Sequence, residues 1–152
     1  MINDFRKIGP MIILTGQENK HAFSARMIPS YAMLRHVNTQ LPENSYVFTI
    51  YMNNLAHLFN RPFCSDSMFE SYTIETILNN LKRLRISALP LKKGFTHILY
   101  DINYAIGDAG TFSEENKNLF MALQQNYLRL AKTDKRRYFL YRFGEPSNTP
   151  AS

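Results

Sequence analysis

Apolar residues gather in short runs that each follow a polar or Gly/Pro break. The two clearest are HVNTQLPENSYVFTIYM at 36–52 and KKGFTHILYDI at 92–102, both rich in β-branched and aromatic residues. Such runs are typical of buried strands. They predict strands at Tyr46–Tyr51 and Phe95–Ile102, and weaker runs predict two further strands at Phe63–Ser65 and Arg137–Phe143.

A helical period fills the stretches between these strands. The first stretch begins near Glu18, and because a proline inside a helix removes a hydrogen bond and clashes with the preceding turn, Pro29 predicts two helices or a kink near Ile28. Its stripe is Phe23, Met27, Tyr31, Leu34, Val37 and Leu41. A short helix is predicted at Leu55–Phe59 and a longer one at 74–85. The last helix begins at Ser113, and its stripe is Leu119, Phe120, Leu123, Tyr127 and Leu130.

Alternation of strands and helices predicts an α/β fold. We expect a three-layer α/β/α sandwich, Rossmann-like, with a mostly parallel sheet of about four strands in the order 2-1-3-4. The last strand should lie at an edge, where an antiparallel direction is an open alternative. At 152 residues the chain is expected to form one domain, 16–143, between a lead-in segment, 1–15, and a disordered tail, 144–152.

The net charge of +6 raises the question of nucleic-acid binding. The basic residues form local groups, one of which is expected around a turn, at Lys132, Lys135, Arg136 and Arg137. Most of the basic residues are expected near helix ends, where the helix dipole favours cations. A solvated surface is the first interpretation of any one group, and attraction to anionic lipid headgroups or phosphates is the alternative. No zinc-finger spacing, helix-turn-helix signature or RNP-like strand is present, so we expect no nucleic-acid partner.

Candidate chemistry is concentrated where predicted strands end, because α/β sheets bind ligands at the carboxyl ends of their strands. Asp66 and Asp101 fall at such ends, Asn53 follows the first strand, and Asp108 lies in a Gly-containing loop. These four define a candidate ligand crevice, although a lone Asp at such a place is more often a turn or capping residue. No Gly-rich phosphate motif is present, and the four histidines share no metal-ligand spacing. We expect no cofactor, no metal and no catalytic residue.

Five phrases in a fixed order give the chain a family resemblance. They are LTGQENKHAFSARMIPSYAML at 14–34; Val37-Asn38 with Leu41-Pro42 and Val47; Asn60-Arg61-Pro62; Gly94 to Leu99; and Tyr138 to Phe143. In this order they resemble the soluble C-terminal domain of bacterial polytopic membrane glycosyltransferases of the dolichyl-phosphate-mannose protein mannosyltransferase-like family. The extra turn at Ser87–Leu91 and the loop at 103–111 depart from that pattern.

The resemblance implies a periplasm-facing, non-catalytic accessory domain that follows a transmembrane region of the same polypeptide. It also implies a lipid-phosphate-linked sugar donor, with the catalytic acids in the first extracytoplasmic loop of the membrane part, which is not in this sequence. The implied partners are the transmembrane portion, and anionic lipid headgroups or a lipid-linked sugar. A free-standing α/β module that binds a small ligand or nucleotide near Asn53, Asp66 and Asp101 is the alternative.

Overall fold

The structure is a computed structural model and describes residues 16, 18–52, 55, 58–66, 76, 78–79, 94–106 and 112–144. Several predictions therefore lie outside the described residues, in whole or in part. They concern the lead-in segment 1–15, two residues of the helix Leu55–Phe59, most of the helix 74–85, the turn Ser87–Leu91, the loop 103–111 beyond Ile106, the tail after Gly144, and the site residues Asn53 and Asp108.

Two helices form at the beginning of the described chain, α1 (Lys20–Met27) and α2 (Tyr31–Gln40). The Asn19 side chain accepts a hydrogen bond from the Ala22 N–H at 2.8 Å and caps α1. The backbone is extended at Ile28, next to Pro29, so the predicted interruption is confirmed. The buried face of α2 consists of Met33, Leu34 and Val37. The predicted stripe is wrong at Met27, which is 38% exposed.

Five strands and two further helices complete the described fold. They are β1 (Val47–Ile50), β2 (Phe63–Asp66), β3 (His97–Asp101), α3 (Ile102–Ala105), α4 (Glu114–Tyr127), β4 (Leu128–Asp134) and β5 (Tyr138–Phe143). The strands form one sheet in the order β2-β1-β3-β5-β4. The β1 strand pairs in parallel with β2 and β3, whereas β5 pairs antiparallel with β3 and β4.

The α/β class is confirmed, but the expectation of a Rossmann-like, mostly parallel sheet of about four strands is wrong. The sheet is mixed, because the segment Leu128–Asp134 forms β4 and does not continue the last helix. A tight turn joins β4 to β5, and such a connection permits only an antiparallel pair. The predicted order 2-1-3 holds for the first three strands, and the final strand is antiparallel, although β4 takes the edge position.

Helices cover both faces of the sheet. On one face α2 packs against Val47, Leu99 and Leu140, and on the other α4 contributes Phe120 and Leu123 to the larger core cluster. Leu78, from the partly described segment at 76–79, is fully buried in the same larger cluster. Since every residue of β1 and β3 is buried, their apolar runs are nearly continuous, as in strands covered on both faces.

Candidate functional site

The carboxyl ends of β1, β2 and β3 lie at one end of the sheet. Ile50 of β1 is in register with Asp66 on one side and with Tyr100 on the other. Asp66 and Asp101 therefore end the two strands that flank β1. The backbones of these two strands lie about 10 Å apart, which is two interstrand spacings. The structure places these two predicted site residues at the same end of the sheet, whereas Asn53 and Asp108 are outside the described residues.

The Asp101 carboxylate is buried, with its side chain 3% exposed, and both oxygens have partners. Oδ1 accepts a hydrogen bond from the Asn103 N–H at 3.0 Å, which caps α3. Oδ2 accepts from Arg137, at 2.8 Å from Nε and 2.7 Å from Nη2. In this arrangement the acid is a helix cap and one half of an ion pair, since its oxygens are already committed to groups of the same chain.

The Arg137 side chain links the β4–β5 turn to the end of β3. Its guanidinium lies 5.1 Å from the centre of the Tyr138 ring, within cation–π range. The backbone carbonyl of Arg137 accepts a hydrogen bond from the Ile102 N–H at 2.9 Å. Tyr138 is itself in register with Asp101. Side chain and backbone of Arg137 thus hold α3, β3 and the turn together. Sequence reasoning missed this pair, because its members lie 36 positions apart.

A bulky residue in the left-handed region follows β1 directly. Tyr51 has φ 53°, which is uncommon for an aromatic residue, and its ring meets that of Phe112 edge-on, with centroids 6.0 Å apart. Backbone strain of this kind collects at functional sites, so it marks the same end of the sheet as Asp66 and Asp101. No sequence signal pointed to Tyr51, since the chain there is Tyr51-Met52 without a glycine.

A polar clamp joins the last turn of α2 and the residue after it, Leu41, to the connection before β2. The Asn38 side chain donates to the Leu58 carbonyl at 2.6 Å and accepts from the Asn60 N–H at 2.8 Å. The Arg61 guanidinium donates to the Leu41 carbonyl at 3.1 and 3.3 Å. These contacts satisfy backbone groups that regular structure leaves unpaired, so the clamp fixes how α2 leads into the parallel half of the sheet.

A second polar contact fixes the start of β3. The Thr96 hydroxyl accepts from the Tyr46 N–H at 2.9 Å, and the Thr96 N–H donates to the Tyr46 carbonyl at 2.9 Å. The same hydroxyl lies 2.8 Å from Nδ1 of His97, whose side chain is buried. Gly94 precedes this contact with φ +80°, a conformation that favours glycine. Burial, and then the charge of Arg142, lower the pKa of His97.

The polar groups inside the larger core cluster form a short chain. Tyr100 donates to Oε1 of Gln124 at 3.4 Å, and Nε2 of Gln124 donates to the Tyr141 hydroxyl at 2.6 Å. Burial raises the pKa of Tyr100 above its ordinary value, because the interior disfavours the phenolate. Tyr100 also meets Phe120 edge-on at 5.1 Å. These partners satisfy hydroxyls that would otherwise be buried unpaired, which is a stabilising role.

The basic group at 132–137 lies around a turn, as the sequence predicts. Lys132 belongs to β4, and Lys135 and Arg136 occupy the centre of the β4–β5 turn with φ 53° and 51°. The Arg137 N–H donates to the Asp134 carbonyl at 3.0 Å and closes this turn. Positive φ at both central residues is the signature of a type I′ turn.

Among the residues that the structure describes, His, Cys, Asp and Glu side chains form no group of three that could hold a metal ion. None of the described helices has the length and apolar character needed to cross a bilayer. When the chain was compared with protein-family models, with curated proteins and with solved structures, nothing matched.

Proposed function

We propose that this chain is an extracytoplasmic, non-catalytic accessory domain of a membrane glycosyltransferase that uses a lipid-phosphate-linked sugar donor. The observation that carries the proposal is the polar clamp. Asn38 and Leu41 belong to one phrase of the family resemblance, and Asn60 and Arg61 belong to the next, and in the fold they bond to each other. Phrases that are separate in sequence therefore form one structural unit.

The remaining phrases also serve the framework of the fold. Gly94 to Leu99 enters β3 through the Thr96 contact with Tyr46, and Tyr138 to Phe143 is β5. Phrases whose residues make structural contacts support a domain whose task is shape and attachment rather than chemistry. The proposed partners are the transmembrane portion of the same polypeptide and, at its surface, anionic lipid headgroups or the lipid-linked sugar.

The coding region upstream of this chain tests the assignment directly. We expect it to encode several apolar segments of about 20 residues each, the length that crosses a bilayer as a helix. A natural start at Met1 with no such region would refute the assignment. As a second test, the isolated chain is incubated with polyprenyl-phosphate sugars and acceptor. We expect no transfer, and turnover that is lost in Asp101→Asn would contradict the non-catalytic role.

A free-standing module that binds a small ligand is the second candidate, and the strained Tyr51 beside Asp66 and Asp101 favours it. Thermal shift with a panel of nucleotides and sugar phosphates tests this candidate. Tyr51→Gly relieves the positive φ and should leave the protein folded. A ligand-induced shift in the wild type that disappears in Tyr51→Gly would support the module, and the absence of any shift would remove it.

A further inference from the structure

Cationic side chains line the β4–β5 hairpin. The segment 128–143 contains six Lys and Arg residues and one acid, Asp134. One of the six, Arg137, forms an ion pair with Asp101. Within the part of the chain that the structure describes, the other five form no ion pair with a carboxylate: Arg129, Lys132, Lys135, Arg136 and Arg142.

A β-bulge places three of these five cations on one face of the sheet. Arg129 is opposite Arg142, and the register then shifts between Leu130 and Lys132, so that Lys132 is opposite Leu140. Residues directly opposite each other share a face, and strict alternation from Arg129 would have put Lys132 on the other face. The bulge therefore brings Arg129, Lys132 and Arg142 to the face on which Leu140 packs with α2.

Two histidines beside this face, one on α2 and one on β3, have pKa values that these cations help to lower. His36 of α2 has its pKa lowered by burial and then by Lys132, and His97 of β3 has its pKa lowered by burial and then by Arg142. A cation that disfavours a second positive charge nearby will attract an anion to the same place.

The length of the cationic surface indicates which kind of anion could bind along all of it. Arg129 and Arg142 lie at one end of the hairpin, and Lys135 and Arg136 lie in the turn at its other end, roughly 17–20 Å away at strand spacing. A single phosphate cannot span that distance, whereas a plane of lipid headgroups can. The β4 strand is also at the edge of the sheet, and four of the five cations are exposed.

We propose that the cationic face of the β4–β5 hairpin, formed by Arg129, Lys132, Lys135, Arg136 and Arg142, docks on anionic phospholipid headgroups. The proposal deepens the accessory-domain assignment and rests on it for the orientation toward a membrane. Arg137 is not part of the surface, because it is the partner of a buried carboxylate. Each cation held near an anionic bilayer contributes to binding, and salt weakens the contribution.

Vesicle co-sedimentation with matched charge variants tests the docking surface. Arg129→Gln/Arg142→Gln removes two charges from one end, and Lys135→Asn/Arg136→Gly removes two from the turn. The second pair installs the Asn-Gly sequence that type I′ turns prefer, so we expect this variant to stay folded while it loses the two charges. Lys20→Gln/Lys117→Gln removes the same charge from α1 and α4 and is the control.

We expect binding to phosphatidylglycerol-containing vesicles, none to pure phosphatidylcholine, and a loss of affinity as salt rises. Each hairpin pair should weaken binding by roughly 30-fold, as about 1 kcal/mol per cation implies, and the control pair by much less. No binding at low salt, or equal losses in all three pairs, would overturn the proposal. So would displacement by millimolar inorganic phosphate, which would indicate a single-anion site. The accessory-domain assignment would survive any of these results, since the upstream coding region tests it separately.

Discussion

Arg137→Ala removes the partner of a buried carboxylate and gives the sharpest test of the site at the end of β3. The Asp101 side chain is 3% exposed and that of Arg137 is 37% exposed. Breaking a buried ion pair by deleting one partner costs about 3–5 kcal/mol, because the remaining charge stays buried. Since Arg137 is partly hydrated, we expect the lower end, about 3 kcal/mol.

Thermal and urea unfolding measure this loss. At roughly 2–4 °C per kcal/mol for a domain of about this size, the melting temperature should fall by about 6–12 °C. Arg129→Ala is the matched control, since Arg129 lies exposed on the same hairpin and should change stability by less than about 0.5 kcal/mol. Equal shifts for the two arginine variants would refute the reasoning.

A double variant separates the buried charge from the lost contact. Asp101→Asn keeps an oxygen that can accept from Asn103 but carries no charge, so the carboxylate that Arg137→Ala strands is gone. Asp101→Asn/Arg137→Ala should therefore be more stable than Arg137→Ala alone, against the expectation for independent sites. If the two effects simply add, the charge is not the source of the loss.

Three further predictions address other parts of the fold. Asn38→Ala should lower stability by about 1–3 kcal/mol, because it leaves the Leu58 and Asn60 backbone groups without their partner, whereas Asn118→Ala on the exposed side of α4 should be neutral. Lys135→Asn/Arg136→Gly should raise the unfolding free energy by about 1–2 kcal/mol, measured in urea, and a loss would show that the turn is not type I′. The pKa of His97 is lowered in the folded state, which favours the neutral imidazole. The stability that the neutral form contributes is therefore present above the ordinary histidine pKa of about 6.5, and it is lost as the pH falls toward the folded-state pKa. NMR titration should show the His97 pKa rising in Arg142→Gln, and no change would exclude the charge as a cause.

The parallel half of the fold was predictable because its signals are local. The β1 and β3 runs are apolar at nearly every residue, which burial on both faces requires. Pro29 predicted the break between α1 and α2 for a purely steric reason. The position of Asp101 at a strand end followed from the same run. Its partner did not, because nothing in a sequence reports which of many arginines a carboxylate meets after folding.

The antiparallel half escaped prediction because two periods overlap there. Tyr127 and Leu130 continue the helical spacing set by Phe120 and Leu123, so the pattern extends the helix beyond its actual end at Tyr127. Leu130 instead lies on β4 and is 55% exposed. The turn that would have revealed a hairpin contains Lys135 and Arg136 where the usual signal is Asn-Gly.

Two departures from local rules in this hairpin have one consequence in common. Lys135 and Arg136 occupy left-handed positions that Asn and Gly fill at lower cost, and the bulge before Lys132 interrupts the ladder that an unbroken strand would make. Each departure reduces the stability of the hairpin. The turn carries the side chains of Lys135 and Arg136, and the bulge places Lys132 on the same face as Arg129 and Arg142. Sequences break local rules chiefly where function requires it, so the same features that hid β4 from prediction also support the proposal that the cationic face docks on anionic headgroups.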